Sequence, residues 1–130
     1  MWTLEVKTST REELKDITSQ VQSLVKQEQL QEGVLLLYSP HTTCGITINE
    51  GADPAVARDI IQSLKKLIPL HWDYAHLEGN SDAHLKTSLI GPSQLIILEQ
   101  GQIKLGTWQR IFLAEFDGPR NRKVWIKLLK

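Results

Sequence analysis

The junction at residues 44–69 constrains this chain most. Cys44-Gly-Ile-Thr-Ile-Asn-Glu50 sets Ile46 and Ile48 between polar neighbours, the period-two pattern of a strand. Asp53-Pro54 follows at once and is the clearest helix start in the sequence. An aspartate there can accept from a first-turn N–H, and at the first helical position the missing N–H of proline costs nothing. Val56, Ile60, Ile61, Leu64, Leu67 and Ile68 then recur at helical spacing until Pro69 closes the run. A strand feeding an amphipathic helix must bury that stripe on a sheet.

The remaining segments supply the sheet. Trp2, Leu4 and Val6 alternate with Thr3, Glu5 and Lys7, the pattern of a half-buried strand. Asp16 or Thr18 opens a helical stretch carrying Ile17, Val21, Leu24 and Val25, which Gly33 stops. Val34-Leu-Leu-Leu-Tyr38 and Gln94-Leu-Ile-Ile-Leu98 read as buried strands, Ile103–Leu105 as a short one. Further strands are expected over Ile111–Phe116 and Lys123–Leu129, joined by the turn Asp117-Gly-Pro-Arg120. About eight strands, massed toward the C-terminal end, with two main helices define an α+β class. The expectation is a compact single domain spanning residues 1–130, built of mixed, largely antiparallel sheets.

Charge narrows the function. Fifteen basic residues balance fifteen acidic ones, which argues against nucleic acid as a partner. Arg120, Arg122, Lys123, Lys127 and Lys130 cluster, but strand alternation splits them between faces, and a solvated edge strand accounts for them. One cysteine excludes an internal disulfide and fits a reducing compartment, so a cytoplasmic location is expected. No apolar run suits a membrane span, and the start Met1-Trp-Thr-Leu-Glu is not a signal peptide.

Four regions at strand ends or turns carry chemistry-bearing side chains. In Pro40-His-Thr-Thr-Cys44, His41 suits a general base or metal ligand. Cys44 suits a ligand or nucleophile, or a small buried apolar residue. In Asn49-Glu50-Gly-Ala-Asp53, capping explains Asp53. Glu50 is left as an acid/base candidate and Asn49 as a hydrogen-bond donor. Tyr74–Lys86 holds His76, Glu78, Asn80, Ser81, Asp82, His84 and Lys86 within thirteen residues. Ser81 or Asp82 there can cap a short helix ending near Gly91, and its N-terminus suits an anion. Asp82 is also a candidate acid, with capping then left to Ser81. In the fourth region Trp108 offers a flat face for a heteroaromatic ring, and Arg120 a fork for phosphate. Glu115 faces inward with Ile111 and Leu113, and Arg120 is one partner it could take. Nitrogens from His41, His76 and His84 would make an open catalytic site for a divalent metal, zinc or magnesium. Without metal, the same groups can transfer protons and bind phosphate with help from Lys86. No organic cofactor is expected.

Taken together, these regions resemble the YjbQ-like family, also labelled secondary thiamine-phosphate synthase. The match runs through His41-Thr-Thr-Cys-Gly-Ile-Thr-Ile-Asn-Glu50, Ala52-Asp-Pro54, His76-Leu-Glu-Gly-Asn-Ser-Asp-Ala-His-Leu-Lys86, Leu105-Gly-Thr-Trp-Gln109 and Glu115-Phe-Asp-Gly-Pro-Arg120. It departs at Gly51, where asparagine is frequent, and at Arg110, where glycine is common. The resemblance implies an α+β homotrimer with His41, His76, Glu78, Asn80, Ser81, Asp82 and His84 in a cleft near subunit interfaces. It also implies weak thiamine-phosphate synthase activity, joining hydroxymethylpyrimidine diphosphate to thiazole phosphate with loss of pyrophosphate.

The expected function is therefore a transferase acting on small phosphorylated heteroaromatics. His41, Glu50, His76, Asp82 and His84 are its catalytic candidates. Asn49, Glu78, Asn80, Ser81, Lys86, Trp108 and Arg120 are its binding candidates. A metal-dependent hydrolase of a phosphate or amide, and a non-catalytic metal- or anion-binding module, are the alternatives.

Overall fold

The computed structural model describes residues 1–130, which form eight strands and three helices. The strands are β1 (Trp2–Lys7), β2 (Glu13–Asp16), β3 (Gly33–Tyr38), β4 (Cys44–Glu50), β5 (Ser93–Glu99), β6 (Gln102–Ile103), β7 (Gln109–Glu115) and β8 (Asn121–Leu129). The helices are α1 (Thr18–Gln27), α2 (Pro54–Leu67) and α3 (Ser81–Ile90). Every strand pair is antiparallel. One sheet has the order β1-β8-β3-β5-β6 and the other β2-β7-β4. This is the expected α+β class. The basic C-terminal strand is not an edge, however, because β8 lies between β1 and β3.

The layers follow from alternation. Leu35, Leu37, Ile96, Leu98, Val124 and Ile126 point from the larger sheet toward Ile46, Ile111 and Leu113 of the smaller one, and Ile17, Val21 and Val25 join them. Ala114 points the other way, into a second cluster with Phe116, Ala83 and the α2 residues Ile61 and Leu64. The small sheet is thus buried on both sides. The opposite face of the large sheet is open, with Leu95 62% and Ile97 60% exposed beside Tyr38 and Trp125. The rings of those two stack at 6.0 Å.

The helix starts show where local rules hold. Asp53 accepts from the Ala55 N–H at 2.9 Å, and Pro54 opens α2 as expected. The α2 stripe is shorter than its apolar sequence, since Leu67 is exposed. The segment 81–90 is a full third helix of ten residues, as long as α1. Its buried residues are Ser81, Asp82, Ala83, Lys86 and Thr87, so it carries no apolar stripe to announce it. Its N-cap is Asn80, and neither Ser81 nor Asp82 caps it.

Candidate functional site

A polar cleft opens where the β3–β4 connection, the start of α3 and the β7–β8 turn meet. It encloses ≈ 340 Å³ and is lined by His41, Thr42, Thr43, Glu78, Asn80, His84, Asp117, Arg120 and Arg122, with Pro40 at its edge. No apolar side chain lines it except that proline. A larger hollow of ≈ 550 Å³ beside Leu30, Gly33 and Leu128 contains no histidine and one carboxylate, Glu32. Chemistry therefore concentrates in the smaller cleft.

The cleft floor is a buried ion pair. Arg122 donates through Nε to Glu115 Oε1 at 2.8 Å and through a terminal nitrogen to Thr43 Oγ1 at 2.9 Å. Thr8 and the Asp117 main-chain N–H also donate to the Glu115 carboxylate. Burial disfavours the Glu115 anion, but the hydrogen bonds from Arg122, Asp117 and Thr8 outweigh it and hold its carboxyl below the usual range. Arg122, not the expected Arg120, is its partner. Arg120 instead reaches the adjoining turn, donating to the Asp117 carbonyl at 2.7 Å and its carboxylate at 3.1 Å. Gly118 lets that turn close: a β-carbon there would strike the Thr10 carbonyl and lie 2.9 Å from Thr8 Oγ1.

Above the floor, Asn80 donates from Nδ2 to Asp117 at 2.9 Å, and its Oδ1 lies 3.1 Å from His76 Nε2. The rings of His76 and His84 meet edge to face at 5.2 Å. His41 Nε2 accepts from the Lys123 main-chain N–H at 2.9 Å. Burial and then the charge of Arg122 push the His41 pKa down, favouring the neutral ring. Burial pushes the Cys44 thiol up to about 12, so Cys44 is an apolar filler rather than a nucleophile or ligand.

Of the residues expected in the site, His41, Glu78, Asn80, His84 and Arg120 converge, with His76 at the margin. Asp82 and Lys86 do not join them. Asp82 is fully buried, paired with Arg11 at 3.1 Å and Lys86 at 2.9 Å, and Lys86 reaches Glu12 at 2.6 Å. A lysine 1% exposed and held between two carboxylates is out of a substrate's reach. Burial disfavours the Asp82 anion, but its Arg11 and Lys86 hydrogen bonds win and lower its pKa, which suits a structural anion and not a catalytic acid. Ser81 is buried under the same helix start.

Glu50, Asn49 and Trp108 sit at the far end of the small sheet. Cys44 pairs with Glu115 near the cleft, while Glu50 pairs with Gln109 six residues along, about 20 Å away at the usual strand rise. There Arg110 packs its stem on Gly51, where a β-carbon would collide with it, and donates to Asp16 at 2.8 Å. The two departures from the family pattern are thus one packing unit.

The three histidines do not assemble a metal site within one chain. No three His, Cys, Asp or Glu side chains are grouped in that geometry, and the His41 Nε2 lone pair already accepts a hydrogen bond. Sequence reasoning missed Thr42, Thr43, Arg122 and Asp117 as cleft walls. The first three read as connection or strand residues, and Asp117 as turn chemistry.

Fold and cleft together define a class: an antiparallel two-sheet α+β protein with an all-polar histidine–arginine cleft at one end. The chain belongs to the YjbQ-like family, since the model described as UPF0047 protein YjbQ-like matches residues 2–130. It is 54% identical to UPF0047 protein MJ1081 of Methanocaldococcus jannaschii, over 96% of this chain and 91% of that one. It is 45% identical to UPF0047 protein YugU of Bacillus subtilis, over 98% and 97% of the two chains. A crystal structure of a yjbq/upf0047 family protein from Clostridium acetobutylicum superposes with a TM-score of 0.95 at 50% identity, covering 99% of this chain and all of that one.

Proposed function

We propose that this chain is a small-molecule enzyme acting on a phosphorylated heteroaromatic, with thiamine-phosphate synthase-type activity of the kind its family resemblance implies. One observation supports this above the others: a cleft almost without apolar lining gathers Arg120, His41, His84 and two threonine hydroxyls. Such a lining suits a diphosphate, whose departure as pyrophosphate needs positive charge and hydrogen-bond donors. Arg120 is 54% exposed at its side chain and, though paired with Asp117, keeps donors for an incoming anion. Charge from Arg120 and hydrogen bonds from the imidazoles carry this reading, and a zinc or magnesium ion would enter with the diphosphate.

The pyrimidine ring lacks a stacking partner in this cleft. Trp108, 63% exposed at the opposite end of the small sheet, supports a second part of the proposal. The working form is a homotrimer in which another copy brings the Trp108, Asn49 and Glu50 end toward the cleft. The open apolar face around Leu95 and Ile97 gives association a driving force. No helix is long and apolar enough to cross a membrane, and the lone thiol suits the cytoplasm.

The test is to assay coupling of hydroxymethylpyrimidine diphosphate with thiazole phosphate, with and without magnesium or zinc. We expect His84→Ala and Arg120→Ala each to lower the rate by 10²-fold or so, the range for losing one positioned proton-transfer or charge-stabilising group. Pyrophosphate release without coupled product would point to the hydrolase. Saturable pyrophosphate binding without turnover would point to a binding module.

A further inference from the structure

The cleft also contains directional information in its hydrogen bonds. Two of its histidines are bonded to partners that can play only one role. A main-chain N–H can only donate, so the His41 Nε2 that faces Lys123 at 2.9 Å must carry a lone pair. The proton of the neutral ring is then on Nδ1. That nitrogen has no protein partner and is not among the buried unpartnered atoms, so it is open to solvent on a ring that lines the cleft. His41 thus offers a donor, the role a neutral imidazole plays when it polarises an oxygen.

His76 is fixed the other way. The Asp117 carboxylate can only accept, so Asn80 must turn its NH₂ toward Asp117, as the 2.9 Å contact requires. Its carbonyl oxygen then faces His76 Nε2 at 3.1 Å and can only accept. His76 must donate from Nε2 and keep its lone pair on Nδ1. The Glu78 carboxylate, 3.8 Å from the same Nε2, also accepts only and reinforces that choice. Arg120 donates to the same Asp117 oxygen at 3.1 Å and keeps that carboxylate in place.

We propose that the cleft presets these two histidines as opposite tautomers. His41 is a neutral Nδ1–H donor to a ligand oxygen, held by the Lys123 main-chain N–H. His76 is an Nδ1 proton acceptor, held by Asp117 acting through Asn80. Asp117 and Asn80 are positioning residues and touch no reacting atom in this scheme. The assignment of roles rests on the cleft being the ligand site, but the tautomers themselves do not.

Ring ¹⁵N spectra of the full-length labelled protein, recorded above the imidazole pKa values, read both tautomers directly. We expect the Nδ1–H form of His41 to exceed the Nε2–H form by about tenfold, the effect of one retained hydrogen bond. We expect the reverse ratio for His76. An Nε2–H ring at His41 or an Nδ1–H ring at His76 would overturn the proposal. Asp117→Asn gives Asn80 a partner that both donates and accepts, so the His76 preference should fall several-fold while His41 keeps its own. A His76 ratio unmoved by that change would remove Asp117 from the scheme.

Pyrophosphate is then titrated into the same sample. A shifted and exchange-protected His41 Nδ1–H supports the donor role. Shifts at His84 and Arg120 with His41 Nδ1–H unaffected overturn that role while leaving the proposed function standing. Preset tautomers with no pyrophosphate binding would instead sink the functional reading and leave the tautomer assignment supported.

Discussion

Asp82 and His84 lie two residues apart on α3 and have unrelated work. Asp82 points inward to Arg11 and Lys86, whereas His84 points into the cleft. One helical residue turns a side chain by roughly 100°, so two residues suffice to separate core from site. Asp82 is a buried charge with two partners, and removing it leaves Lys86 with Glu12 alone and takes both hydrogen bonds from Arg11. Asp82→Ala should cost about 3–5 kcal/mol in urea unfolding at neutral pH. A loss near zero would mean that the network is solvated. The pH sign follows from its lowered pKa, a direction shared by Glu115. Both carboxylates stabilise the fold fully above their ordinary unfolded values near 4. That contribution fades as pH falls through the lower folded values. Asp82→Asn should therefore be less stable than the parent at neutral pH and show a shallower acid limb.

Among the elements, α2 and α3 mark the limits of pattern reading. Asp53, Pro54 and an apolar stripe made α2 legible, because local chemistry and burial agree there. Asp53→Ala should lower unfolding stability by about 1 kcal/mol and leave the cleft intact, a check that the cap acts locally. An equal loss of activity would show α2 to be coupled to the site. By contrast, α3 buries polar residues beside Ala83, and its buried charges pair with Arg11 and Glu12, 71 and 74 residues away in sequence. No period along residues 81–90 can report such partners. Also hidden was β2, four residues whose pairing with β7 places Glu13 opposite Glu115.

At the scale of the molecule, the bare face of the large sheet and the exposed Trp108 both ask for a partner surface. Under the proposed trimer, Leu95→Glu with Ile97→Glu would place charges in the contact. Light scattering should then report smaller particles than the parent, with unchanged secondary structure by circular dichroism. A parent already monomeric would remove the shared cleft, and Trp108 with it.

The sequence by itself determined the α+β class, the capped α2 and the family, because these rest on periodicity and on ordered motifs that are local in the chain. It also named His41, Glu78, Asn80, His84 and Arg120, which do share one cleft. Only the tertiary structure decided that Asp82, Ser81 and Lys86 belong to the interior and that Glu50, Asn49 and Trp108 lie a strand's length from the cleft. It alone made Arg122, rather than Arg120, the partner of Glu115. Those outcomes depend on which strand lies beside which and on the face a side chain takes. Both are set by long-range pairing and the net balance of burial against ion pairing, and neither is written in the spacing of neighbouring residues.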